Sequence, residues 1–433
     1  MANTPAAEKT LDGHGFLNVV SREAFCALLA GFAPLGVEAV SFVDALGRTL
    51  AAALPAPEDL PRSARASMDG YAVNARDVFG ATETNPAYAD CVADLRIDWS
   101  EKAKGADGLR LESGQCARIP TGGTLPPGAD AVVMVEYTGE LGAGTIEVRK
   151  TVAPGENVML PGEDVAAGET ALPAGRTLRA QDVGLLAALG ITSVQVGRRP
   201  RVGILSTGDE LVPPSETPRP GQIRDVNTSA LCCLTAEAGA IPVPLGLVPD
   251  DLALLTQALT SALDSCDVIL LSGGSSLGAR DHSVAAMLAL PEAEVLAHGI
   301  AISPGKPTIL GRARGACGNV AVIGLPGQVT SAQVVMTVFI KPFLKHLAGD
   351  AQALALAAPP FVAELARNIA GRPGREDFVR VRLEARPGQP PLAHPVLGKS
   401  GLLKTLLEAD GLISVAANAE GLYKGALCPV WPL

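Results

Sequence analysis

The sequence predicts a multidomain protein of the α/β plus β class, built around a parallel α/β unit, and three observations carry that expectation. Strand-length apolar runs at residues 202–205, 268–271 and 320–323 each end in a loop of small residues, and helical patterns at 229–238, 252–263 and 334–347 separate them. Short β-type runs broken by glycine and proline occupy 82–150. A second β pattern takes over from residue 361. Strands alternating with helices imply a parallel sheet covered on both faces, with ligands at the carboxyl ends of its strands. At 433 residues the chain has room for about three domains of roughly 150 residues each.

Taken in order, residues 1–15 are small and polar and read as a loose tail. SREAFCALL at 21–29 begins like a capped amphipathic helix, with Ser21 as cap and Ala24, Phe25, Leu28 and Leu29 on one face. A second helix-like segment covers 42–54, and Pro55, Pro57 and Pro61 then force an extended passage. It leads to SMDGYAV at 67–73, where Asp69-Gly70 suits an ordinary turn and a site equally well, since Met68 and Tyr71 are bulky for a solvent loop. Residues 115–119, 131–136 and 145–148 read as strands of an independent β unit, and 120–128 as a rigid small-residue loop. A helix over 181–189 closes at Gly190. The α/β unit runs from Arg199 to about Gly349, with Asp250 as the expected cap of the 252–263 helix. The Ala-rich stretch 350–360 reads as a linker, and strands at 378–383, 412–416 and 427–431 build the closing β unit.

The α/β loops carry the chemistry. After the 268–271 strand, Gly273, Gly274 and Gly278 let backbone approach a ligand, and Asp281 stands just before an apolar run that suits a short helix. The first strand ends in Ser206-Thr207-Gly208-Asp209-Glu210, the third in Leu325-Pro326-Gly327, and Ser303-Pro304-Gly305-Lys306-Pro307 is a rigid turn presenting one lysine. All four loops should open on one edge of the sheet. Acids at strand ends suit a hard cation such as magnesium, with Asp209, Glu210, Asp225 and Asp281 as candidates. Lys306, Arg224 and Arg280 suit phosphate or another oxyanion. Any one of these alone would be a solvated loop charge; their recurrence at successive strand ends favours a site. His282 and His298 show no spacing that suggests a Ser-His-Asp arrangement, and neither a Walker sequence nor GxGxxG occurs.

Composition excludes other classes. Aromatics at 3% argue against base-stacking platforms, and a net charge of −10 against phosphate-backbone binding, so no nucleic-acid partner is expected. Eight cysteines without CxxC spacing read as small buried apolar residues in a reducing compartment, the adjacent Cys232 and Cys233 as helix packing. The N-terminus lacks a basic segment followed by an apolar core, and no apolar run reaches membrane-spanning length. No membrane partner and a cytoplasmic location are therefore expected.

In this order, the motifs resemble the molybdopterin molybdotransferases of the MoeA type, also found as the E domain of gephyrin. The resemblance rests on LGRTLA at 46–51, SMDGYAV at 67–73, RIPTGGTLPPGADAVVM at 118–134 and PGEDV at 161–165. It continues through STGDEL at 206–211, GQIRDVN at 221–227, SGGSSLG at 272–278, PGKP at 304–307, LPG at 325–327 and EADGLI at 408–413. It implies an elongated homodimer. Each subunit would have a discontinuous N-terminal domain (16–57 and 151–198), an inserted β domain (58–150), a molybdopterin-binding α/β domain (199–349) and a β-barrel-like C-terminal domain (350–433).

The implied reaction inserts molybdenum from molybdate into adenylylated molybdopterin, with magnesium, and releases AMP. A molybdopterin adenylyltransferase-type protein would act upstream and a molybdoenzyme or its chaperone downstream. Asp69, Thr121 and Asp164 would face the α/β loops of the other subunit. Glu210 and Asp281 would hold metal, or with Asp225 orient the leaving phosphate, and Lys306 would offset anionic charge. Thr207, Gly208, Gly273, Gly274, Ser276, Gly278, Pro304, Gly305, Pro326 and Gly327 would contact the substrate. Four motifs depart from the family pattern. Ser303 stands where a lysine is common, Gln328-Val329 where Asn-Pro follows the third strand, Ser275 and Leu277 in place of two valines, and Met159-Leu160-Pro161 in place of an Arg-rich run. Each lost charge-assisted contact is worth on the order of 1.5–3 kcal/mol. A carrier that binds molybdopterin or finished cofactor without turnover is the alternative, and a scaffolding role a third reading.

Overall fold

The computed structural model of the chain describes residues 19–95, 109–273, 277–316, 318–355 and 361–433, and of 277–281 the backbone alone. Its centre is a six-stranded sheet of β1 (Arg201–Thr207), β2 (Ile241–Val248), β3 (Val268–Gly273), β4 (Glu294–His298), β5 (Ile309–Gly315) and β6 (Gly318–Leu325). The spatial order is β2-β1-β3-β6-β5-β4. The first four strands are parallel, as their apolar runs imply. Only β5 runs the other way, antiparallel to both β6 and β4, which the sequence does not foretell: β5 ends at Gly315 and β6 begins at its partner Gly318, and so short a connection permits only a hairpin. Because Ile309 pairs with Gly324, β5 starts where β6 ends. The loops after β1, β3 and β6 and the loop before β5 therefore open on one edge, as expected.

Alternation along the strands sends side chains to two cores. Val202, Ile204, Val268, Leu270, Ala321 and Ile323 face one helical layer; Leu205, Ile269, Leu271, Val320 and Val322 face the other. In the first layer, α1 (Arg22–Ala30) and α2 (Asn227–Glu237) pack with a long helix. In the second lie α3 (Leu252–Leu263) and α4 (Leu277–Leu288). The long helix is α5 (Val329–Val335) continued by a π-helical turn at Met336–Ile340 and a last segment at Lys341–Leu347. Ser21 caps α1 by accepting the Ala24 N–H, as anticipated. Phe25 meets Phe339 edge-on at 5.2 Å between ring centres, so α1 docks into the core of the α/β sheet.

Three expectations are corrected. Asp251, not Asp250, caps α3 by accepting the Leu254 N–H, because Asp250 is engaged elsewhere. Helix α4 begins at Leu277, so Asp281 lies within it. Residues 42–54 hold only a 3-10 turn at Phe42–Asp44, since Gly47 takes φ +73° and Thr49 and Leu50 bridge to Thr177 and Val196.

Early and later segments pair across the inserted stretch. Val37–Ser41 pairs with Ser193–Gly197, Leu54–Pro55 with Thr170–Leu172, and Arg65–Ala66 with Val158–Met159. Between them a six-stranded sheet runs in the order Ala131–Met134, Gly70–Val73, Gln115–Ile119, Ala87–Asp94, Thr145–Val148, Thr138–Gly142. At the C-terminal end, Glu376–Arg386 pairs with both Gln389–Pro395 and Gly411–Val415, closing five strands into a barrel. The short Ile302–Ser303 strand adds to Glu376–Asp377 and ties the Pro304 turn to that barrel. Among the described residues no helix is long and apolar enough to cross a membrane. Cys232 is half-buried against the core, but its neighbour Cys233 is exposed, because adjacent helix positions face different directions.

Candidate functional site

The switch in chain direction at β1, whose neighbours β2 and β3 both follow it in sequence, opens a crevice at the carboxyl ends of β1 and β3. The strands end in hydroxyls that are fully engaged. Ser206 Oγ donates to Asp225 Oδ1 at 3.2 Å and lies 2.8 Å from Thr228 Oγ1, while Thr207 Oγ1 donates to Asp250 Oδ1 at 2.6 Å. The Asp250 N–H donates in turn to Asp209 Oδ1 at 3.2 Å. Asn227 Nδ2 donates to both Ser272 Oγ at 2.7 Å and the Gly327 carbonyl at 2.8 Å, joining the end of β3 to the loop after β6. Asn227 thus ties the loops after β3 and β6 together, while Ser206 and Thr207 fix the end of β1 to the segments around Asp225 and Asp250.

Sequence reasoning missed Asn227 and Asp250. Asn227 stands two residues beyond Asp225 in the same motif, and Asp250 is the first of two adjacent acids where one cap suffices. Both signals are too weak without the fold.

The remaining assigned residues divide. Glu210 and Asp209 are exposed, while Asp225 is buried. Lys306 is exposed and makes no side-chain hydrogen bond or ion pair among the described residues; its backbone carbonyl accepts the Ile300 N–H at 2.9 Å. Arg224 turns away, its Nε donating to the Glu216 carbonyl at 3.0 Å. Gly274 and Ser276 lie outside the described residues; Gly278, Arg280 and Asp281 are placed as backbone in the first turns of α4. At the carboxyl ends of β3 and β6, beside the starts of β5 and α5, lies a cavity of about 260 Å³, lined by Leu271, Ile309, Leu325, Pro326, Gly327 and Gln328 among others.

Asp69 and Thr121 come together on the inserted sheet, 52 residues apart in sequence. Asp69 Oδ1 accepts the Thr121 N–H at 2.7 Å and its hydroxyl at 2.8 Å. The N–H first, then the hydroxyl, hold the Asp69 carboxyl below the ordinary carboxylate range, despite a small opposing effect of burial. A depressed folded pKa means that these bonds contribute stability above the unfolded pKa and are lost as pH falls through the folded value. Thr121→Val is expected to raise the Asp69 pKa toward, but not up to, the ordinary value, as read from carboxyl carbon shifts during an NMR titration. No movement would show that the hydroxyl bond does not form in solution. Asp164 is exposed, its N–H bonded to the Leu60 carbonyl. Among the described residues no hydrogen bond or ion pair links Asp69, Thr121 or Asp164 to the α/β loops of the same chain.

Three family models match the chain: the MoeA N-terminal region (domain I and II) over residues 20–190, a probable molybdopterin binding domain over 203–346, and the MoeA C-terminal region (domain IV) over 362–433. A putative molybdopterin biosynthesis protein of Methanocaldococcus jannaschii is 34% identical over 406 residues, covering 92% of each chain. Molybdopterin molybdenumtransferase 2 of Mycobacterium tuberculosis is 33% identical and covers 91% of this chain and 94% of its own. The crystal structure of a MoeA molybdopterin biosynthesis protein of Pyrococcus horikoshii matches 96% of the chain with a TM-score of 0.76 at 33% identity.

Proposed function

Because this chain belongs to the MoeA family of molybdopterin molybdenumtransferases, we propose that it works in molybdenum cofactor biosynthesis, inserting molybdenum from molybdate into adenylylated molybdopterin with release of AMP. The observation that carries the reading is the loop edge of the α/β sheet: a neutral cavity flanked by acids and one unengaged lysine, on a scaffold tied together by Asn227. Such an edge suits a ligand that is part heterocycle and part phosphate. The names of the relatives describe transferases and lend nothing to the carrier reading.

In this reading Lys306 lies free to offset the charge of molybdate and phosphate. Magnesium, when bound, would neutralise phosphate charge, and Glu210 with Asp281 would hold it. The oxygen donors fit a hard cation that takes one or two carboxylates plus substrate phosphates; no group of three or more metal-ligating side chains occurs among the described residues, as that mode allows. Asn227 keeps the Pro326-Gly327 loop against β3. Asp69, Thr121 and Asp164 would be supplied to this edge by a second subunit, which accords with their lack of contact to it within one chain. Cytoplasmic location and transfer from an adenylyltransferase to a molybdoenzyme or its chaperone belong to the same proposal.

The deciding experiment incubates purified protein with adenylylated molybdopterin, magnesium and molybdate. The expected result is molybdate-dependent AMP release with molybdenum retained. Tight molybdopterin binding without AMP release would overturn the insertase reading in favour of a carrier.

A further inference from the structure

The inserted sheet curls on itself. Tyr71 Oη donates to Glu140 Oε1 at 3.1 Å, joining the Gly70–Val73 strand to the Thr138–Gly142 strand across the three strands that lie between them. In the hollow lies a second cavity, of about 340 Å³, with Tyr71, Cys91 and Glu140 among its walls. Asp94, Glu140 and Gly142 of these walls are exposed, so the cavity opens to solvent. No described residue lines both this cavity and that of the α/β unit.

Two cysteines meet at its floor. Cys91 and Cys116 are Cα partners on the parallel Ala87–Asp94 and Gln115–Ile119 strands, and both side chains belong to one core cluster. Paired strands stand about 4.8 Å apart, within the roughly 4.4–6.8 Å that a disulfide spans between Cα atoms. Their access differs. Cys91 is half-buried and lines the cavity, whereas Cys116 is fully buried. Burial first, and then the neighbouring Cys91, push the Cys116 thiol up to about 12, which makes Cys116 the poorer nucleophile toward anything arriving from solvent. Cys91 Sγ is held only by a weak bond, donating to the Ala93 carbonyl at 3.4 Å, and a change of rotamer releases it.

We propose that Cys91 is a site of reversible thiolation by a small disulfide entering this cavity, and that Cys116 resolves the adduct into a cross-strand Cys91–Cys116 disulfide. In the first step the Cys91 thiolate attacks one sulfur of R–S–S–R. A bond from Cys91 to that sulfur forms, the original S–S bond breaks, and the departing thiolate takes up the proton that Cys91 gave up. In the second step the Cys116 thiolate attacks Cys91 Sγ and expels the remaining RS⁻, which is protonated in turn. Two electrons pass from the protein thiols to the small disulfide, which leaves as two thiols, and an excess of thiol reverses both steps. Few Cys116 groups are ionised near neutral pH, but attack within an oriented pair has an effective molarity on the order of 10⁵ M or more, which offsets that scarcity. The inference is independent of the reaction proposed for the α/β loops.

The test incubates the intact protein with hydroxyethyl disulfide, blocks free thiols with N-ethylmaleimide, and maps the cysteines by mass spectrometry of a non-reducing digest. The expected product is a pair of peptides linked through Cys91 and Cys116, lost again on adding dithiothreitol. Cys116→Ala should abolish the linked pair and let the hydroxyethylthio adduct accumulate on Cys91, while Cys91→Ala should leave Cys116 unmodified, with an unchanged thermal midpoint as the control for folding. Exposed Cys233 is the internal reference, since its thiolation shows that the reagent has acted. Cys91 left unmodified while Cys233 is thiolated would overturn the site. A Cys91 adduct that never links to Cys116 would overturn the resolving pair. Both outcomes are read on the unaltered chain, so the test decides even where Cys116→Ala fails to fold.

Discussion

Gly273→Ala is expected to lower stability by about 2–6 kcal/mol, adding left-handed backbone strain of roughly 1–3 kcal/mol to overpacking of similar size. Gly273 sits at φ +140°, and a Cβ placed on it would lie 2.0 Å from the Thr207 carbonyl oxygen, on the neighbouring strand end. Backbone cannot yield there without parting β1 from β3, and that parting would disturb the separate hydrogen bonds of Thr207 to Asp250 and of Ser272 to Asn227. AMP release should therefore fall by two orders of magnitude or more in whatever protein remains folded, each about 1.4 kcal/mol being tenfold. Gly190→Ala is the informative control, because Gly190 also has positive φ, +68°, but open space around its Cβ position. It should lose about 1 kcal/mol. Urea unfolding of both variants separates conformational strain from close approach. Equal losses would mean that strand-end contact does not constrain the site.

That contact was invisible in the sequence, although the loop itself was not. Apolar runs ending in small residues locate β1, β3 and β6 because strand burial leaves a local signature, and the same logic placed their loops on one edge. What escaped depends on partners distant in sequence. Asp250 and Asp251 are equivalent as caps until Thr207, 43 residues away, takes the first. Segment 42–54 has helical composition, yet its bridges to Thr177 and Val196 decide its shape. Helix α4 starts at Leu277, earlier than its glycine suggests, and its later turns anchor in the second core through Ala286 and Met287. The pairing of Asp69 with Thr121 likewise exists only once the Gly70–Val73 and Gln115–Ile119 strands are joined.

Phe339→Ala is expected to lower stability by about 3–5 kcal/mol and to reduce AMP release as well, although Phe339 lines neither the cavity nor its loops. Its ring is fully buried in the π-helical turn of the long helix, edge-on to Phe25 of α1. The path to the site is short. The residue leading into α1, Val20, donates its N–H to the Gly299 carbonyl at 3.1 Å and accepts the Ala301 N–H at 2.8 Å. The Ile300 N–H between them donates to the Lys306 carbonyl, so the docked helix braces the turn that presents the lysine. Phe25→Ala should give a similar stability loss, and a double-mutant cycle should return a coupling of roughly 0.5–1.5 kcal/mol for the edge-on pair. Phe339→Leu, which keeps most of the volume, should lose less than about 1.5 kcal/mol and retain activity. Strict additivity of the two alanine variants would deny the direct pair. Full AMP release by a folded Phe25→Ala protein would instead show that Lys306 is held by the Ile302–Ser303 pairing with the barrel and not by α1. The two anchors are separable by this measurement, because one grips the chain at Gly299 and Ala301 and the other at Ile302 and Ser303.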